Sequence, residues 1–155
     1  MNTSPNKIKV IDLFAGAGGF GLGFHLAGYE VTCSLEVDAW AAETLQINNP
    51  GMKVIQEDIR HFRTPDEIRG ACSDLPNIII GGPPCQGFSI AGPAQKSPKD
   101  PRNNLFQDFA RWVECLTPQV FVMENVKGLL SRRNSNGEEV IDIILKTFFH
   151  LVYSV

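Results

Sequence analysis

Cys85 lies in the stretch IIIGGPPCQGFSIAG (residues 78–92), where an apolar run breaks on two glycines and two prolines just before the thiol. Pro83 and Pro84 fix φ and offer no amide hydrogen, which stiffens the approach to the cysteine. Gly81, Gly82 and Gly87 leave room for a substrate to come close. Such a setting suits a nucleophile, whereas Cys33, Cys72 and Cys115 have ordinary neighbours and read as small buried hydrophobes. A second candidate is MENV (residues 123–126), where Glu124 and Asn125 close an apolar strand. A carboxylate there is costly to bury unless it has a partner or a task. A third is DLFAGAGGFG (residues 12–21), a G-x-G-x-x-G at Gly16, Gly18 and Gly21, with Glu36 following 20 residues after Gly16. Glycines let a backbone approach a ligand, and a carboxylate at the end of the next strand can accept from ribose hydroxyls. Asp58, ending the third apolar run, is placed to accept from an exocyclic amine such as that of adenine. An adenosine-type cofactor is implied, and both NAD and S-adenosylmethionine satisfy the pattern. A thiol, an acid and an adenosine site together suit attack on an electron-poor carbon, with a proton given to the substrate.

Elements must hold these groups at one edge. Short apolar runs alternate with helical patterns, the signature of a mainly parallel, doubly wound sheet of Rossmann-like α/β type. Strands are expected at Lys9–Phe14, Val31–Glu36, Lys53–Asp58, Asn77–Gly81 and Gln119–Asn125. Helices are expected at Phe20–Ala27, Ala39–Asn48, Asn103–Leu116 and from Val140 to about Phe148, with LVYSV opening a sixth strand. Leu105, Phe109, Trp112, Val113 and Leu116 recur at helical spacing. The longest loop runs from Gly82 to about Arg102, a length usually reserved for function. Open α/β sheets bind ligands beyond the carboxyl ends of their strands, so Cys85 belongs beside the glycine loop.

Composition narrows the classes. The chain has 155 residues, enough for one domain with a real core. Its 14 Lys and Arg against 17 Asp and Glu leave a net charge of −3, so bulk charge does not argue for a nucleic-acid partner. The four cysteines contain no C-x-x-C pair, a poor pattern for zinc or a disulfide framework, and no metal site is expected. No signal peptide opens the chain and no apolar stretch could span a bilayer, so a reducing cytoplasm is the expected setting.

The motifs DLFAGAGGF, EVD, EDI, GGPPCQGFS and MENV, in this order and spacing, resemble the cytosine carbon-5 DNA methyltransferases over nearly the whole chain. The resemblance implies an S-adenosylmethionine-dependent methyltransferase fold, with Cys85 as nucleophile, Glu124 as acid and Asn125 as its structural neighbour. It implies that Phe14 lies against the adenine, with Ala15, Gly16, Ala17, Gly18 and Gly19 around the methionine part. Glu36 would take the ribose, Asp58 the adenine amine, and Val37 and Ile59 would flank the base. Pro84 and Leu105 would complete the pocket, and Ser89 with the following loop would close over double-stranded DNA. A bacterial restriction-modification enzyme is the implied setting. Family members continue with an arginine-bearing strand, a target-recognition region and a final segment. Residues 1–155 thus read as the N-terminal part of the catalytic domain, working with a complementary C-terminal segment or second subunit.

In the implied reaction a Cys85 thiolate adds to carbon 6 of cytosine, and carbon 5 becomes able to attack a sulfonium methyl. A free thiol is only a few per cent ionised at neutral pH, so activation is needed. Glu124 must carry a proton toward ring nitrogen 3, and the base must be flipped out of the duplex. An RNA cytosine methyltransferase would use the same thiol and acid. An NAD oxidoreductase would leave PPCQGFS and MENV idle, and a non-catalytic subunit would be expected to lose the thiol or the acid.

Overall fold

The computed structural model describes residues 7–84, 105–125, 129 and 137–151. Five strands form one sheet: β1 (Lys9–Leu13), β2 (Glu30–Glu36), β3 (Lys53–Gln56), β4 (Ile78–Gly81) and β5 (Val120–Met123). All neighbours are parallel and the order is β3-β2-β1-β4-β5. The first three strands step in one direction from β1, and β4 and β5 step in the other. A crevice therefore opens between the carboxyl ends of β1 and β4, the switch point where doubly wound sheets bind ligands.

Among the described residues, five helices flank the sheet: α1 (Gly19–Leu26), α2 (Ala39–Asn48), α3 (Pro65–Ala71), α4 (Leu105–Leu116) and α5 (Val140–His150). Because strand side chains alternate, Ile11 and Leu13 of β1 face one side, where Phe109, Trp112 and Val113 of α4 and Ile144 and Phe148 of α5 bury against them. Phe121 of β5 stacks on Phe148 with ring centroids 4.3 Å apart, and Phe109 meets both rings edge-on. Val10 and Asp12 occupy the alternate positions of β1, toward the face that α1 and α2 cover. β5 lies at the rim. Phe121 and Met123 reach the core, while Val120 and Val122 remain exposed.

The first five expected strands and the four expected helices are present, with ends moved by a few residues. The third strand stops at Gln56, and Asp58 caps a short 3-10 turn at Ile59–His61. The helix α3 was not expected from periodicity, since seven residues with only Ile68 and Ala71 buried show no repeat. Its signal is local instead. Thr64 accepts from the Glu67 amide, the Glu67 side chain accepts from the Thr64 amide, and Pro65 opens the helix. The expected sixth strand and the expected start of α4 at Asn103 fall on or beside residues outside the described ones, and Leu151 itself lies in a turn.

The cysteines bring a correction. Cys33 and Cys72 are buried as expected of small hydrophobes, but their sulfurs are bonded to each other, across 39 residues of sequence. No spacing motif announces a pair that depends on β2 and the end of α3 meeting in the core. Cys115 is a free, half-buried thiol, and burial pushes it above its ordinary range.

Candidate active site

The turn after β1 departs from ordinary backbone. Phe14, Gly16 and Gly18 have φ of 60°, 56° and 94°. For Gly16 and Gly18 this is easy. For Phe14 it is a strained left-handed conformation of the kind that persists where surrounding structure over-determines it. The restraints are visible. The Ala15 amide donates to the Leu35 carbonyl at 3.1 Å, and the Gly16 amide donates to Glu36 Oε2 at 2.7 Å. The other Glu36 oxygen accepts from the Asp38 amide at 2.8 Å. One carboxylate thus ties together the loops that follow β1 and β2. Each oxygen keeps a lone pair for a further donor.

Asp58 is oriented as firmly. Its Oδ1 accepts from the Arg60 amide at 2.9 Å, and Arg60 Nε bridges both oxygens at 2.9 and 3.1 Å. The Arg60 guanidinium is the main reason its carboxyl is held down at about 2. The neighbouring Glu57 is held below the usual carboxylate range, first by the Asp58 amide at 2.9 Å and then by His61, whose Nδ1 lies 2.8 Å away. From α4, Arg111 donates to the carbonyls of Phe62 and Ile59 at 3.1 and 3.3 Å, which fixes the turn that carries these acids.

A cavity of about 270 Å³ opens at this edge. Phe14, Glu36, Val37, Asp58, Ile59, Pro84 and Leu105 all line it, so seven of the residues singled out in the sequence come together from five separate segments. Leu35, Glu57 and Arg60 line it too and were not anticipated. Ala15, Gly16, Ala17, Gly18 and Gly19 do not line it. They form the turn into α1 and are tied to cavity residues by the Ala15–Leu35 and Gly16–Glu36 hydrogen bonds. The cavity is apolar where Phe14, Val37 and Ile59 face it and carboxylate-edged at Glu36 and Asp58, which matches the flat base and hydroxyl-bearing sugar of a nucleoside.

The two glycines of GGPP have separate tasks. A Cβ at Gly81 would run into the Leu13 carbonyl, so β4 needs glycine to pair closely with β1. A Cβ at Gly82 would lie 3.0 Å from Glu124 Oε2. The Glu124 amide donates to the Gly81 carbonyl at 2.9 Å, so the acid is held directly beside the backbone that leads to the thiol. Glu124 is exposed and Asn125 half-buried. Cys85 and Ser89 lie outside the described residues.

Residues 8–155 match the family model of the C-5 cytosine-specific DNA methylases. The chain is 47% identical over 148 residues to the type II methyltransferase M.DdeI of Desulfomicrobium norvegicum, covering 96% of this chain and 35% of that protein. It is 42% identical over 150 residues to M1.HphI of Haemophilus parahaemolyticus, covering 96% of this chain and 40% of the relative. A solved structure described as a DNA modification methyltransferase encoded within a prophage (E. coli) superposes with a TM-score of 0.76 at 35% identity, over 93% of this chain and 38% of that one. The present chain therefore spans little more than a third of the length of these relatives. The chain belongs to the C-5 cytosine-specific DNA methylase family.

Proposed function

We propose that this chain is the cofactor-binding and catalytic N-terminal part of a DNA (cytosine-5-)-methyltransferase of the restriction-modification kind. S-adenosylmethionine, when bound, supplies an electrophilic methyl group. Phe14, Val37 and Ile59 would hold its adenine, Asp58 the adenine amine, Glu36 the ribose, and Pro84 and Leu105 the outer wall. Ala15, Gly16, Ala17, Gly18 and Gly19 would hold the remainder. What carries this reading is the meeting of these cavity residues along the carboxyl edge of β1, β2, β3 and β4, with Glu124 beside Gly82 at the same edge.

Cys85 would act on a cytosine flipped out of double-stranded DNA, its thiolate adding to carbon 6. Glu124 would hold a proton at ring nitrogen 3 and so offset the charge that develops there, with Asn125 as its structural neighbour. Once carbon 5 carries the transferred methyl group, loss of its proton to a base would restore the double bond between carbons 5 and 6 and expel the thiolate. Glu124 is exposed among the described residues, and a flipped base seated beside it would bury it. The same reading puts the protein in the cytoplasm with the DNA it would modify. Target recognition would come from a complementary segment or second subunit, since the relatives are more than twice as long as the matched stretch.

Two measurements test the reading. Calorimetric titration should show S-adenosylhomocysteine binding more tightly than NAD, and the reverse order would overturn the cofactor. With the complementary segment present, DNA carrying 5-fluorocytosine should become covalently trapped, because fluorine does not leave as the proton does. Cys85→Ser should abolish the adduct, and an adduct that persists in that variant would remove Cys85 from the reaction.

A further inference from the structure

We propose that Asp12 is a positioning residue for the cofactor loop: as a neutral acid it fastens the first turn of α1 to β1 from behind, and its ionisation loosens that turn and weakens cofactor binding. The inference rests on the cofactor reading above and concerns the opposite side of the same loop.

Asp12 is the fourth of the five residues of β1, with 1% of its surface exposed, and no other Asp, Glu, Lys, Arg or His among the described residues is buried. A carboxyl in that position needs a reason. The start of α1 supplies one. The first amides of a helix have no partner within the helix, and a side chain at the N-cap usually serves them. Here the N-cap is Gly18, which has no side chain to offer. Asp12 Oδ2 accepts from the Gly21 amide at 3.1 Å instead, so β1 caps the helix at long range. Gly21 permits the approach, because a Cβ there would lie 2.9 Å from that same oxygen. The glycine loop is thus fastened twice, at Gly16 by Glu36 on the cavity side and at Gly21 by Asp12 behind.

The second oxygen of Asp12 shows why the neutral form is favoured. Oδ1 has no hydrogen-bond partner among the described residues. Asp12 borders a separate small cavity of about 40 Å³, shared with His25, Val31, Ser34, Leu45 and Asn49. Burial pushes the carboxyl up to about 7. The Gly21 hydrogen bond works against this, and the charge of Glu36 adds to it. The titratable groups facing Asp12 are His25 from α1 and Glu36 from β2. Leu45 of α2, Asn49 and Met52 after it, and Ile80 of β4 bring no charge. By linkage, losing the proton favours any arrangement in which the carboxylate reaches water, and lifting the first turn of α1 is the nearest.

The test measures S-adenosylhomocysteine affinity at pH 6, 7 and 8.5, together with amide hydrogen exchange over residues 16–22 in the unliganded chain. Wild type, Asp12→Asn, Asp12→Ala and Gly21→Ala are compared. Asparagine keeps the acceptor for Gly21 and has no charge to gain. Wild-type affinity should fall several-fold from pH 6 to 8.5, with exchange over 16–22 rising beyond its intrinsic pH dependence. Asp12→Asn should hold the low-pH affinity throughout. Asp12→Ala and Gly21→Ala should bind more weakly at every pH. A wild-type pH profile in Asp12→Asn, or wild-type affinity and exchange in Asp12→Ala, would overturn the proposal. No binding of S-adenosylhomocysteine at any pH, with exchange still tracking Asp12, would overturn the cofactor reading while supporting the fastening of α1.

Discussion

Glu124 and Gly82 form a pair in which the smaller residue decides how useful the larger one is. Adding a methyl at Gly82 places a carbon 3.0 Å from Glu124 Oε2, and the acid must shift by a few tenths of an ångström. A displacement approaching 1 Å can cost on the order of 100-fold in rate. Gly82→Ala should therefore lower kcat by about tenfold or more, with S-adenosylhomocysteine affinity nearly unchanged. Kinetics with the complementary segment present and calorimetry on the chain separate the two effects. Asp12 makes a second residue-scale prediction, on stability. Its carboxyl rises from an unfolded value of 3.8 to about 7 in the fold, so the folded chain holds more protons between those values. Its stabilisation is complete below about 4 and is lost as pH rises through about 7. Urea midpoints should accordingly fall between pH 5 and 8 in wild type, and less steeply in Asp12→Asn.

At the scale of elements, the helices divide into those that shape the cavity and those that only support it. Gly18 caps α1 at φ 94°, and a Cβ there would lie 2.9 Å from Leu45 Cδ2 of α2. Gly18→Ala meets both a left-handed backbone penalty of about 1–2 kcal/mol and a steric one. It should lower the melting temperature and weaken S-adenosylhomocysteine binding together. Thr64→Ala removes the capping box of α3, which packs on α4 and lines none of the cavity. It should cost about 1 kcal/mol and leave affinity as it was. Equal losses of affinity in both variants would show that cofactor binding merely follows global stability.

For the whole molecule, the parallel order β3-β2-β1-β4-β5 matters more than any single contact, because it creates the crevice and brings five segments to it. The same sheet leaves Val120 and Val122 exposed on the rim strand. The net charge of −3 gives little of the phosphate attraction that supplies non-specific DNA affinity. With the chain spanning 35% to 40% of two relatives, the expected outcome is that these 155 residues alone transfer no tritiated methyl groups to mixed-sequence DNA, and that a complementary polypeptide restores transfer. Robust, sequence-specific methylation by the chain alone would sink that expectation.

Local chemistry was legible in the sequence wherever one residue type is forced by one short-range demand. The apolar runs of β1 and β4, the glycines that turn the chain after β1, and the carboxylates at the end of β2 and just past β3 are of this kind, because period, φ and strand ends are properties of a few consecutive residues. The alternation of strands and helices likewise determined a parallel sheet. Contacts between distant segments were not legible. Cys33 finds Cys72 only because β2 and α3 meet in the core. Arg111 reaches across from α4 to the turn that carries Asp58, by geometry that no spacing encodes. Asp12 read as one more letter of the glycine motif, and only packing revealed that α1 lacks a side-chain cap of its own and takes one from β1. Sequence determines which groups a chain carries and which local conformations they prefer. The tertiary structure alone decides which of them lose water, and burial is what turns an ordinary carboxyl into one that titrates near neutrality.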